Sequence, residues 1–255
     1  TKNFLKHKSS EFKLLRNEKS QGFAFSNNSG ASKASGDWLL FLNNDLLLKQ
    51  GWGVFFVNIA NGSDKLKQLG CLGNLQINPL NKRIDHAGVT FVNGIPEHVL
   101  EGETTIPSSD YSEFLAVTGA CFMIRRNLFL EVGGFDESYK TGFEDIDLCL
   151  RLAMLGYRHY VANQSRVFHK RGSTPQRNEF QDHNTSVFYG RWGKIITRLE
   201  EWERERDLLI NHGIGCFGLK RKGVSHVLKR REKFLFADRN LLVRFFDNYL
   251  QDGKF

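Results

Sequence analysis

Five apolar residues in a row, Trp38-Leu39-Leu40-Phe41-Leu42, break off at Asn43-Asn44-Asp45. A strand that is apolar at every position must be covered on both faces, the situation of a strand inside a parallel sheet. Helices packed on either side of the sheet supply that cover. Helical patterns flank the run, over residues 17–35 with Gly36 as the stop and over residues 49–60. The expectation is therefore an α/β chain whose mostly parallel sheet is flanked by helices. In such sheets ligands bind beyond the carboxyl ends of the strands, and Asn43-Asn44-Asp45 stands at such an end.

The same alternation continues downstream. Residues 12–15 read as a short strand and 69–77 as a second buried one. Residues 84–92 and 95–100 form a hairpin about Asn93-Gly94. Short strands at 114–117 and 121–124 surround Thr118-Gly119, and a helix over 126–132 closes at Gly133-Gly134. A helix over 143–155 stops at Gly156, and short strands follow at 157–161 and 167–168. From Glu179 onward the pattern is helical and amphipathic. With 255 residues the chain can bury a proper core, and the division expected is a core over 1–178 with a basic helical extension over 179–255.

Charge is concentrated in that extension. Residues 191–255 hold 15 Lys and Arg against 9 Asp and Glu, a net of +6 out of +8 for the whole chain. Clusters such as Lys220-Arg221-Lys222 and Lys229-Arg230-Arg231, mixed with Phe and Leu, suit an anionic membrane surface. A helical cap packed on the domain explains them as well. No nucleic-acid-binding motif accompanies the charge, so nucleic acid is not an expected partner. The 4 cysteines form no C-x-x-C pair and read as free buried thiols of a reducing compartment. There is no charged-then-apolar N-terminal signal and no apolar run of membrane-spanning length. The expected location is cytoplasmic, with any membrane contact peripheral.

Several constellations can carry chemistry. A carboxylate just past a buried strand, as Asp45 is, suits Mg²⁺ or Mn²⁺ held against a diphosphate, although Asn and Asp also favour plain turns. Glu144-Asp145-Ile146-Asp147 opens a helix. There carboxylates cap N-H groups and complement the helix dipole, yet one of them can equally accept a proton from an attacking hydroxyl. Asp147 and Arg151 are spaced for a surface ion pair. His169 directly follows a strand and precedes Lys170-Arg171, which fits a metal ligand beside anion-binding cations or simply an exposed loop. His86, beside Asp85, is a further candidate, with a hairpin histidine as the plainer reading. At Thr118-Gly119-Ala120 the glycine permits close backbone approach to a ligand.

Taken in order, these segments resemble the family 2 glycosyltransferases, in particular their rhamnosyltransferase-like and galactofuranosyltransferase-like branch. The resemblance rests on the motif at 17–30, Gly36-Asp37-Trp38 through Asp45, and Thr118-Gly119-Ala120-Cys121 with Arg125-Arg126. It continues in Gly133-Gly134-Phe135-Asp136-Glu137, Glu144-Asp145 through Arg151, and His169 to Ser173. It implies a GT-A (Rossmann-like) fold and inverting transfer of a sugar from a nucleoside-diphosphate sugar to a hydroxyl of a glycan or lipid-linked saccharide. It further implies Asp45 and His169 as ligands of Mn²⁺ or Mg²⁺, and Asp145 as general base supported by Glu144. Gly22, Asn28, Asn43, Asn44, Gly119 and Ala120 would then lie along the donor. The usual D-x-D is Asn43-Asn44-Asp45 here, with an amide in place of one carboxylate. The two strands that open such proteins have no counterpart, so the chain reads as an N-terminally incomplete core. A non-catalytic relative that binds glycan or a partner is the alternative.

Overall fold

The computed structural model describes residues 12–170 and 179–213, with side chains up to residue 197. Its elements are α1 (Gly22–Lys33), β1 (Trp38–Leu42), β2 (Leu46–Leu48), α2 (Val54–Ala60), β3 (Leu69–Ile77), β4 (Ile84–His86), β5 (Val89–Val92) and β6 (Ile95–His98). They continue with β7 (Tyr111–Phe114), β8 (Cys121–Arg125), α3 (Arg126–Glu131), α4 (Glu144–Met154), β9 (Arg158–His169) and α5 (Gln181–Gly213). The main sheet runs β1-β8-β3-β9-β2, with β4 added to β3 and β7 to β9. β5 and β6 form the expected hairpin, with Asn93 and Gly94 both at positive φ as a type I′ turn requires.

Helices cover both faces. α2 packs Phe56 and Ile59 against Leu72, Cys121, Met123 and Tyr160. α1, α3, α4 and α5 pack against the opposite face, which presents Leu39, Phe41, Cys71, Leu75, Phe122 and Ile124. This is why β3 is apolar at nearly every position: alternate residues enter different cores. On the second face Phe41 stacks on Phe122 at 4.8 Å, and Phe135 meets Phe41 edge-on at 5.3 Å. Such aromatic pairs add about 0.5–1.5 kcal/mol each to simple burial.

Strand direction differs from the expectation. β3 and β9 are parallel, whereas β1–β8, β8–β3, β3–β4, β7–β9 and β2–β9 are antiparallel. The sheet is thus mixed rather than mostly parallel. The run at 38–42, expected to be covered on both faces, is instead a strand at the end of the sheet order, paired with antiparallel β8 and buried on one face: Leu39 and Phe41 are buried while Leu40 and Leu42 are exposed. Two-sided burial belongs to β3 and to β8, which runs the other way between β1 and β3. The expected strand at 12–15 is not formed: Phe12, Leu14 and Leu15 are exposed, and no strand among the described residues pairs with them. The two strands expected at 157–161 and 167–168 are one, β9, whose register against β3 shifts between Asn74 and Leu75.

α5 begins where the helical extension was expected, but its first half is part of the core. Phe188, Trp192, Ile195 and Ile196 are buried in the same cluster as α4 and β3. The basic clusters of 219–249 and residues 171–173 lie outside the described residues. Among the described residues no helix is long and apolar enough to cross a membrane.

Candidate active site

The carboxyl ends of β1, β3 and β9 converge at one end of the sheet, together with the amino ends of β8 and α4. β2 pairs with the end of β9, with Leu46 opposite His169. This register sets Asp45 beside the end of β9, where the Lys170 N-H donates to the Asp45 carbonyl at 3.1 Å. The two expected metal ligands therefore meet: His169 Nε2 lies 3.4 Å from Asp45 Oδ1. Asp45 Oδ1 is buried and has no hydrogen-bond partner. A buried carboxylate oxygen without a donor is costly, and an imidazole nitrogen facing it forms half of a cation cage. A carboxylate oxygen suits Mn²⁺ or Mg²⁺, and an imidazole beside it favours the transition ion Mn²⁺ of the two, so the residues present fit such an ion.

A third group was not foreseen at this point. Asp85, in β4, places Oδ2 3.5 Å from His169 Nδ1. The sequence offered Asp85-His86 only as a hairpin pair, because nothing local tells that β4 and β9 flank the same end of β3. His86 is engaged elsewhere. Its Nε2 accepts the N-H groups of Gly88 at 3.1 Å and Thr118 at 3.3 Å, joining β4 to the 118–120 loop. On β3, Asn74 and Gln76 are also buried, and Asn74 Oδ1 and Nδ2 and Gln76 Nε2 lack partners. The signal for these was two amides spaced two apart in an otherwise apolar strand.

Asp145 sits at the start of α4, partly exposed. Its Oδ2 accepts the Gly119 N-H at 2.6 Å and its Oδ1 the Ile146 N-H at 2.9 Å. A carboxylate offers about four lone-pair sites, so positions remain open toward solvent. Gly119 is required by this approach: a Cβ there would stand 3.2 Å from both Asp145 Cβ and the tip of the Phe23 ring. Ala120 is tied in from the other side, its carbonyl accepting the Asn43 N-H at 2.8 Å. Asn43, Gly119, Ala120 and Asp145 are thereby linked through consecutive backbone contacts, and Asn44 lies in the turn between β1 and β2.

Glu144 behaves differently from its neighbour. It is 6% exposed and turns back to accept the Gly142 N-H at 2.5 Å. That contact closes the loop before the helix and braces the turn that delivers Asp145. The turn is strained, because Phe143 holds φ at 72°, a left-handed conformation rarely taken by an aromatic residue. α5 holds it there. Phe188 stacks on Phe143 at 4.5 Å, and Asn184 bonds both the Lys140 N-H at 3.0 Å and the Thr141 carbonyl at 2.7 Å.

Asp147 corrects an expectation. Its pair with Arg151 is present, at 2.8 Å, but the carboxylate is fully buried rather than on the surface. It also accepts from Arg191 at 2.6 Å and from Trp192 Nε1 at 2.8 Å. The i,i+4 spacing identified the pair, while the burial comes from α5, far along the chain. Arg151 in turn donates to the carbonyls of Val132 and Gly134. Arg191 reaches Asp136 at 2.6 Å. Burial alone would raise the Asp136 pKa, but hydrogen bonds from Ser138 and the Arg191 charge outweigh it and hold the pKa below the ordinary value. Asn28 is spent on the same region: its amide donates to the Phe135 carbonyl and Glu137 and accepts the Phe135 N-H. Gly22 opens α1 at φ +86°, with the Lys140 carbonyl 3.0 Å from where a Cβ would stand.

A second metal-like cluster lies in the core. Cys71, Cys149 and His159 bring their ligating atoms within 4.8 Å of one another. His159 Nδ1 accepts the Cys71 N-H at 3.1 Å, and Nε2 lies 2.9 Å from the Cys149 carbonyl. Together these contacts require the neutral ring with its proton on Nε2. Neither nitrogen then has a lone pair to give a metal, and burial pushes the Cys71 thiol well above its ordinary pKa.

Comparison with known proteins identifies the family and the fold. A family model described as glycosyl transferase family 2 matches residues 1–133, and one described as glycosyltransferase like family 2 matches residues 90–186. The O-antigen biosynthesis protein RfbC of Myxococcus xanthus is 34% identical over 152 residues, covering 56% of this chain and 12% of its own length. The rhamnosyltransferase WbbL of Escherichia coli strain K12 is 31% identical over 139 residues, half of each chain. The chain thus spans half or less of the length of these relatives. A crystal structure of GalNAc-T7 with UDP, GalNAc and Mn²⁺ superposes with a TM-score of 0.56 at 19% identity, over 91% of this chain and 45% of the other. That likeness identifies the fold as GT-A. With more than half of its residues matched by the family model, this chain belongs to glycosyl transferase family 2.

Proposed function

We propose that the chain carries the metal-binding and base-bearing part of an inverting glycosyltransferase. It would move a sugar from a nucleoside-diphosphate sugar to a hydroxyl of a glycan or lipid-linked saccharide. The observation that carries this reading is the approach of His169 Nε2 to the unpartnered Asp45 Oδ1, at the same end of the sheet as Asp145. The names of the relatives, an O-antigen biosynthesis protein and a rhamnosyltransferase, support a cell-envelope saccharide as acceptor.

Asp45 and His169 would hold Mn²⁺ or Mg²⁺, the ion named with the GalNAc-T7 complex being Mn²⁺. Such an ion, when bound, neutralises the charge that develops on a leaving nucleoside diphosphate. The loop of Asn43, Asn44, Gly119 and Ala120 would form the donor-side wall, with Gly22 at the amino end of α1. Asp145 would take the acceptor's hydroxyl proton on a free lone pair while the Gly119 and Ile146 N-H groups fix its orientation. Positioning of this kind and general-base catalysis each lower the barrier by several kcal/mol. Glu144 supports the base through the Gly142 turn.

The test is Asp145→Asn. The amide retains an oxygen for the Gly119 N-H and loses the basicity. Turnover of a panel of nucleoside-diphosphate sugars should fall about 10²- to 10⁴-fold. Calorimetric binding of nucleoside diphosphate with Mn²⁺ should persist. An unchanged rate removes Asp145 as the base, and a wild-type chain that binds no nucleoside diphosphate with Mn²⁺ favours a non-catalytic relative.

A further inference from the structure

His169 is bracketed by two buried carboxylates. Asp45 faces Nε2 at 3.4 Å and Asp85 faces Nδ1 at 3.5 Å. Both separations are a few tenths of an ångström longer than a formed hydrogen bond. The side chains of Asp45, Asp85 and His169 are 15%, 7% and 10% exposed respectively, so bulk water screens the group weakly. A neutral imidazole carries one proton and one lone pair, and which nitrogen carries which is decided by the partner of the other. Asp85 is acceptor-only when ionised. Asp45 is acceptor-only as well, so the two carboxylates alone do not choose between the tautomers; once a cation takes the Nε2 lone pair on the Asp45 side, Nδ1 carries the proton and Asp85 is the group placed to accept it.

We infer that Asp85 is a positioning residue for the metal site, acting through His169. It fixes the Nδ1-H tautomer and the ring orientation, so that Nε2 and Asp45 Oδ1 present converging lone pairs to a divalent cation. A carboxylate behind a ligating imidazole also makes the ring a better donor. The fold is arranged to hold Asp85 in this place. β4 is pinned to the end of β3 through Gln76–His86 and Ile77–Ile84, with a register shift between Gln76 and Ile77. The Asp85 carbonyl lies 3.1 Å from His98 Nδ1, which anchors the strand from the other side. The substitution of an amide for one acid in Asn43-Asn44-Asp45 gives the role its weight. With fewer anionic ligands in that turn, the donor strength of His169 matters more.

This inference rests on the metal reading of Asp45 and His169, and the experiment separates the two. Mn²⁺ alone is titrated into the chain and the free ion is followed by its electron paramagnetic resonance signal. Wild type, Asp85→Asn, His169→Ala and the double variant form a cycle. Asp85→Asn should weaken Mn²⁺ about 10- to 100-fold, and it should cost nothing further once His169 is alanine. Nitrogen NMR of the wild type loaded with Mg²⁺, which is diamagnetic, supplies a readout that needs no altered fold. The His169 resonances, assigned by their loss in His169→Gln, should show protonated Nδ1 and proton-free Nε2.

The opposite tautomer overturns the inference. So does an Asp85→Asn affinity equal to wild type, or an Asp85 effect that persists undiminished in the His169→Ala background. In each of those cases wild type still binds Mn²⁺ and the metal reading stands. A wild-type chain that binds no Mn²⁺ overturns both.

Discussion

At the scale of single residues, the site depends on how closely backbone and carboxylate approach. The 2.6 Å contact between the Gly119 N-H and Asp145 leaves no space for a side chain at 119. A methyl group there would sit 3.2 Å from Asp145 Cβ and Phe23, inside the roughly 3.5–4.0 Å at which carbon atoms rest. Gly119→Ala should therefore push Asp145 aside while leaving most of the core intact. The expected result is a sugar-transfer rate reduced by up to about 10-fold, since the neighbours must give by a few tenths of an ångström and a full 1 Å costs about 10²-fold. The unfolding midpoint should change little. Steady-state kinetics beside thermal unfolding would show the split.

At the scale of elements, α5 braces the turn that carries Asp145, the proposed base. Phe188 is fully buried and stacks on Phe143, which without that contact has no reason to hold a left-handed backbone. Phe188→Ala should cost about 3–5 kcal/mol of stability, measured by denaturant unfolding. The rate of transfer should fall beyond what lost stability explains, because the turn before Asp145 relaxes. This dependence was invisible in the sequence. The pattern at 143–155 gave the helix, and the acids at its head gave the candidates, both within a residue or so of what is observed. What separates Glu144 from Asp145 is where each side chain turns once α5 has closed over the loop. Likewise Asp147 and Arg151 were recognisable as a pair, but burial of that pair requires Arg191 and Trp192, more than forty residues away. Periodicity reports on a helix's own faces and is silent about what later covers them.

At the scale of the molecule, the charged network joining α4, α5 and the 133–137 loop ties stability to pH. The folded state holds the Asp136 carboxyl below its ordinary pKa. Its contribution is therefore complete above the unfolded-state value and is lost as the pH falls through the lower folded-state value. Asp136→Asn should lower the unfolding midpoint at neutral pH, and the gap to wild type should close progressively as acid is added below the ordinary carboxylate range. A gap that does not change with pH would remove the ionised carboxylate as the source. The overall architecture was legible in the same uneven way. Helices on both faces of an apolar sheet followed from 69–77, whereas the run at 38–42 is covered on one face only. The direction of β8 did not follow, because burial on two faces is the same for a strand running either way. Asp85 escaped notice for a related reason: it reaches His169 only when β4 and β9 take opposite edges of β3.

The clasp of Phe188 and Asn184 on residues 140–143 also sets an order of events during synthesis. A chain leaves the ribosome amino end first, and a domain folds as a unit once enough of it has emerged. Asp45, Asp85, Asp145 and His169 all emerge before the segment around Phe188 and Asn184 that clasps the turn carrying Asp145. A nascent chain of this protein stalled short of α5 would thus hold every one of these residues and still lack the clasp on the turn that carries Asp145, the proposed base.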